Sequence, residues 1–319
     1  MRNTVWSRSA VVGAAVLVAP ALAQEPFQWE IGGAFSQSEF SRTDNQVFDP
    51  AFGFGTFLFT ESTVDTDRFR LDATWFFEPV ESNRGPLERA AFLDRASSIS
   101  AFALRSELTA SAIQLSDALP SFSEQAELAE NSLGFGFRYV LPDDTWFIEA
   151  SVSRRDTESI PGNASDQYAI AAGRYLGDRT AVSLRIDRSE GGSGSILPGT
   201  SGGQDNYSLE ITHIGDLWGD WQYAVDSSLT ESDQDFVDLR FDVSGTLYPS
   251  RYLGFGAQAS VSAEDFTDQS KRYGAFGRWF VNDAWSVSAR YEWTDFEGSF
   301  GDGVDIDDDA FELRVDYRF

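Results

Sequence analysis

The chain has 319 residues and a formal charge of −27, from 51 Asp and Glu against 24 Lys and Arg, and it has no cysteine. So acidic a protein repels nucleic-acid phosphates, and the missing thiols exclude disulfides and thiolate metal centres. No stretch past the first two dozen residues approaches the ~18 uninterrupted apolar residues of a spanning helix. Crossing by strands stays open, because a membrane strand needs only ~9–11 residues and can be half polar.

The N-terminus reads "MRNTVWSRSAVVGAAVLVAPALAQ", with Arg2 and Arg8, an apolar run, then Ala21-Leu22-Ala23. This is the pattern of a secretory signal peptide over residues 1–23, leaving 24–319 as one domain. From there, alternation dominates. "WSVSARYEW" sets Trp285, Val287, Ala289, Tyr291 and Trp293 against Ser286, Ser288, Arg290 and Glu292. The terminal "AFELRVDYRF" sets Phe311, Leu313, Val315, Tyr317 and Phe319 against Glu312, Arg314, Asp316 and Arg318. Period two is the signature of strands with one apolar face, and helical spacing fits these segments less well.

Fourteen strands are predicted, at 27–40, 64–77, 98–110, 128–140, 145–157, 165–176, 180–189, 204–214, 219–231, 235–247, 251–264, 268–281, 284–297 and 308–319. Short turns such as "LPDD", "LGDR", "YPSR" and "VNDA" alternate with long polar connections. That is the layout of an all-β, antiparallel up-and-down transmembrane barrel, with both termini on the periplasmic side. Residues 41–63 admit an extra strand, an extended extracellular hairpin or a loop folded into the pore, so twelve and sixteen strands stay open. "GPLERAAFLDRASSIS" breaks the alternation. Pro86 followed by helix formers to Ala96 predicts a short helical turn over 86–96, on the periplasmic side between the second and third strands.

Tryptophans gather beside the connections. Trp29, Trp75, Trp146, Trp218, Trp221, Trp279 and Trp285 mark the short-turn end and Trp293 the long-loop end, as interfacial girdles would.

Two stretches resemble known families. "WFFEPVESNRGPLERAAFLDRASSIS" (Trp75–Ser100) is similar to a family of general porins from Gram-negative bacteria, and "FELRVDYRF" resembles the C-terminal signal of outer-membrane barrels. The resemblance implies a pore in the cell outer membrane. It also implies that the barrel-assembly machinery recognises Tyr317 and Phe319. No constriction-loop motif of trimeric porins is present, so the oligomeric state stays open.

Strand parity assigns a charged inner face to Arg68, Arg70, Asp72, Arg105, Glu107, Arg138, Glu149, Arg185, Glu210, Asp226, Asp238, Arg240, Asp242, Arg278, Arg290, Glu292, Glu312, Arg314, Asp316 and Arg318. A water-filled barrel puts these charges in its lumen, where they bias ion passage or brace the wall as cross-strand pairs. The acidic excess predicts a modest cation preference. Phe76 and Phe276 are inward aromatic candidates.

No catalytic, cofactor or metal site is expected. His213 is the sole histidine, falls on the apolar face beside a short turn, and has no serine partner nearby. "GDGVDIDDD" offers Asp302, Asp305, Asp307 and Asp309 as oxygen ligands, but its glycines precede the acids, unlike a calcium loop. The expected function is passive diffusion of small hydrophilic solutes, with outer-membrane lipid and lipopolysaccharide as neighbours. The alternatives are a closed structural or adhesive barrel and a substrate-specific channel.

Overall fold

The computed structural model describes residues 26–47, 57–116, 122–158, 164–191, 203–233, 239–264, 268–297 and 304–319. They form fourteen antiparallel strands: β1 (Phe27–Val47), β2 (Phe57–Val80), β3 (Ser98–Ser116), β4 (Phe122–Val140), β5 (Trp146–Thr157), β6 (Ala164–Tyr175), β7 (Thr180–Gly191), β8 (Gln204–Asp216), β9 (Gln222–Ser232), β10 (Leu239–Ser250), β11 (Leu253–Glu264), β12 (Asp268–Phe280), β13 (Trp285–Glu297) and β14 (Val304–Arg318). Each pairs with its sequence neighbours, and β1 pairs with β14, so the sheet closes into a barrel. Closure leaves no edge of unpaired backbone groups, which hydrocarbon would not tolerate.

The seam is the chain's own two ends. Register runs from Glu30 opposite Arg318 to Asp44 opposite Val304. Phe319 continues it, accepting from the Gln28 and Trp29 amides and donating to Trp29 O at 3.0 Å. The alternation of "AFELRVDYRF" fixes that register, because a slip of one residue would turn its charges outward.

The barrel is inverted relative to a soluble protein. Phe35, Phe69, Leu71, Leu133, Phe135, Ile170, Leu184 and Leu313 are all exposed on the outer wall. An aromatic band crosses the seam at one end: Tyr139, Phe137, Phe77, Trp75, Trp29, Phe319, Tyr317 and Trp285 stand in a chain of ring contacts 4.6–6.3 Å apart. Tyr273, Trp293 and Tyr291 form a second stack toward the other end. Trp146, Trp218 and Trp279 are exposed on the outer side, and Trp221 stacks on Trp218 at the β8–β9 turn. The signal-peptide span lies outside the described residues.

Within 41–63, residues 41–47 extend β1 and 57–63 belong to β2, as in an extended hairpin. Val47 pairs with Phe57, making β1 and β2 strands of 21 and 24 residues, well beyond the ~9–11 that cross a bilayer. The connection 48–56 lies outside the described residues.

Among the described residues, the segment that folds into the barrel is the β2–β3 connector, residues 81–97. Leu87–Arg89 make a 3-10 turn and Ala90–Leu93 a one-turn helix, α1. The helical turn therefore sits where the sequence puts it, but it does not simply bridge two strands. It packs against inner residues around the short-turn mouth.

Candidate functional site: the lumen and its closure

The inner face of β14 carries Glu312, Arg314, Asp316 and Arg318, because strand pleating alternates them with the outward Leu313 and Tyr317. Asp316 is 1% exposed. It accepts from Arg314 at 2.7 Å, from Arg278 at 2.6 Å and from the Ser286 hydroxyl at 3.2 Å. Arg314 also grips Asp72 through two nitrogens, at 2.8 and 2.7 Å. Arg318 donates to Glu30 at 2.5 Å and lies over the Phe27 ring. The chain's last strand is thus tied to β1, β2, β12 and β13 by one ionic network, which compensates burial that unpaired charges could not survive.

Further along the wall the same device recurs. An arginine and an acid two residues later share a face of one strand. It is seen at Arg70–Asp72 (3.4 Å), Arg185–Asp187 (2.9 Å), Arg240–Asp242 (2.8 Å), Arg290–Glu292 (3.5 Å) and Arg314–Asp316. Arg138 bonds Glu149 and the Tyr175 hydroxyl, and Glu210 accepts from Ser183 at 3.0 Å. Arg68 shares a small cleft with Arg290, Glu292 and Glu312. A polar cavity of about 470 Å³ opens between β8 and β13, lined by Asp226, Arg240, Asp242, Gln258, Arg272, Arg290 and Glu292 among others.

Two expected inner residues face the other way. Phe69 on the outer wall pairs with Arg105, whereas the inward Arg70 pairs with Leu104. Arg105 and Glu107 therefore stand outside, bonded to each other at 3.1 Å, with Glu158 at 3.3 Å from Arg105. The reason is an inverted strand. The inner face of β3 is Phe102, Leu104 and Leu108, and Phe102 fits there because Gly134 opposite it has no side chain and Arg70 caps its ring. Asp238 lies outside the described residues.

Register also turns inward charges not picked out from the sequence, among them Glu30, Arg42, Glu130, Arg155, Asp187, Arg272 and Asp308. Applying strand parity to every charged residue would have found them. Phe276 faces inward beneath Arg290, while Phe76 is buried under the connector. His213 is on the outer face, within 2.8 Å of the Thr180 hydroxyl and 3.3 Å of Tyr223. Asp302 is outside the described residues, and among those described no group of acids or histidines is arranged to hold a metal ion.

The connector reaches across the short-turn mouth. Ala90 packs on Phe27, Phe76 and Val80 beside the connector's own roots, and Phe92 stacks near Tyr175 at 5.5 Å. Leu93 reaches Ile214, Ala224 and Tyr248 on β8, β9 and β10. Arg89 is bonded by both terminal nitrogens to Asp226, and by Nε to the Tyr248 hydroxyl at 3.2 Å. Burial works against the Arg89 charge, but the Tyr248 and Asp226 oxygens more than offset it, holding the guanidinium above the usual arginine range. Leu87 is wholly buried, with its amide on Arg251 O and its carbonyl accepting from Arg318 at 2.8 Å.

Comparison with known proteins settles what kind of barrel this is. The family model described as "Putative general bacterial porin" matches residues 45–319. The chain belongs to that porin family. Among solved structures, the Acinetobacter baumannii outer membrane protein Omp33 is similar, with 18% identity, 93% of this chain and 100% of that one covered, and a TM-score of 0.52. An outer membrane channel of Pseudomonas putida F1 aligns at 12% identity, covering 94% and 97% of the two chains, with a TM-score of 0.43. At these identities the likeness concerns the fold. No curated protein sequence matches. Family and fold together make this porin a channel-type barrel of the outer membrane.

Proposed function

We propose that this porin passes small hydrophilic solutes and ions by passive diffusion through the lumen that the fourteen strands enclose. The observation that carries the reading is the inverted barrel. Its outer wall is apolar, and its inner wall is polar and charged around a cavity of about 470 Å³. Arginine–carboxylate pairs recur along most of the wall, so a hydrated solute keeps polar partners beside it past the apolar inner face of β3.

A modest cation preference follows from where the unbalanced acids stand. Arginines and carboxylates on the inner wall are closely matched and mostly paired, leaving little net field there. The excess stands on the outer face toward the long-loop end, around the rim of that mouth, as at Asp65, Glu39 and Asp309, which register places side by side across three strands. Such a mouth concentrates cations before they enter. Reversal potentials in a planar bilayer under a salt gradient test this. A small cation-directed potential that shrinks with ionic strength supports it, and anion selectivity overturns it.

Residues 1–23 would direct export, and Tyr317 with Phe319 would present the barrel to the assembly machinery. The girdles would contact lipid and lipopolysaccharide. The runner-up is a permanently closed structural barrel, favoured by the connector across the short-turn mouth and the dense ion pairing. The two readings differ in single-channel conductance.

A further inference from the structure

We infer that the β2–β3 connector is a hinged gate over the periplasmic mouth, and that Arg89 is its latch. This rests on the porin reading and adds the device that opens the pore.

The geometry is asymmetric. Both ends of the connector are rooted in neighbouring strands, β2 and β3, and its near-side packing is Ala90 on Phe27, Phe76 and Val80. From there it projects across the opening. Its tip is held by strands that lie far away round the barrel: Leu93 against Ile214, Ala224 and Tyr248, and Arg89 on Asp226 and Tyr248. Side tethers add to that seat, Leu87 on Arg251 and Arg318 and Arg95 on Asp144, Gly177 and Asp178, but none is a strand pairing, so the segment can swing on its roots with the sheet intact. The barrel wall is closed without it, since β2 and β3 pair directly from Leu58–Ser116 down to Phe76–Ser98.

The seat also differs in kind from the roots. Asp226 belongs to the lumen, where it lines the polar cavity and accepts from Thr212 at 2.8 Å, so it keeps a hydrogen-bond partner when Arg89 leaves. An ion pair whose acid is already solvated and bonded costs far less to open than one sealed in apolar core. Glu88 accepts from the same Tyr248 hydroxyl at 3.2 Å, so the latch is a compact group of Glu88, Arg89, Asp226 and Tyr248. The stretch that most resembles the porin family, Trp75–Ser100, is this gate and its roots.

The test uses the full-length refolded protein in planar bilayers. The chain has no cysteine, so an introduced Leu93→Cys/Ala224→Cys pair can close the gate covalently with no competing thiol. The oxidised pair is expected to be silent and to regain wild-type conductance on reduction. Arg89→Ala is expected to raise the open fraction several-fold at unchanged unitary conductance. Asp226→Asn removes the same bond from the wall side and serves if Arg89→Ala does not refold, as judged by heat-modifiable gel migration. An oxidised pair that conducts like wild type, or an open fraction unmoved by both latch variants, overturns the inference. A variant with Leu87–Leu93 replaced by glycines separates the levels. If it conducts while the latch variants stay as wild type, the pore stands and the latch falls. If it too is silent, the porin reading itself fails.

Discussion

Replacing Asp316 by alanine is the sharpest test of how the barrel seam is held. Asp316 is nearly inaccessible and receives two guanidiniums, Arg278 at 2.6 Å and Arg314 at 2.7 Å, as well as the Ser286 hydroxyl. Without it, Arg314 keeps its two bonds to Asp72, but Arg278 is left with Ser286 and with Glu30 at 4.0 Å. Losing one acid from a buried ionic network costs about 3–5 kcal/mol, because the remaining charge stays buried and uncompensated. Asp156→Ala is the matched control. Its pair with Arg154 is 3.3 Å long but about equally exposed on both sides, and such pairs are worth about 0–1 kcal/mol. Urea titration of the folded barrel in lipid vesicles, followed by tryptophan fluorescence, reads both. The reasoning is refuted if the two variants lose similar stability, or if Asp316→Ala costs under about 1 kcal/mol.

Gly256→Val should destabilise the wall by about 1–3 kcal/mol, since a Cβ there meets the Gly245 carbonyl and the Phe276 ring; the same urea titration checks it. Spin labels at Ala103→Cys and Leu104→Cys should report opposite environments. Oxygen should relax the first from the lipid side and a water-soluble nickel chelate the second from the lumen, and a reversed pattern would restore Arg105 and Glu107 to the inner wall. Trp29→Ala and Phe319→Ala should each slow folding into vesicles and lower stability by about 1 kcal/mol or more, since each interrupts the aromatic band across the seam.

Most of the fold is legible in the sequence because a barrel strand obeys a local rule. Period two sets which face is apolar, and short turns fix the neighbours, so "WSVSARYEW" and "AFELRVDYRF" identify their own orientation. The rule fails where apolar residues occur on both faces. On β3, Phe102, Leu104 and Leu108 look like a lipid face, but the register with β2 turns them inward. The reason is tertiary: Gly134 makes room and Arg70 covers the ring, and neither is adjacent in sequence. The connector shows the same limit. Pro86 and the helix formers after it announce a helical turn, but its seat against Asp226 and Tyr248 depends on side chains more than 130 positions away. The lengths of β1 and β2 were underestimated for another reason. Residues 41–46 and 60–63 are all polar in sequence, so the alternation that marks a strand disappears there.

The central claim is that a wettable lumen crosses this barrel when the connector is displaced. Single-channel recording of the refolded protein, with and without the glycine-substituted connector, tests it most directly. The account predicts brief openings in the wild type and sustained openings of the same pore in the variant, with a slight cation-directed reversal potential. Complete absence of conductance steps in both proteins, with the barrel shown to be folded, would contradict it.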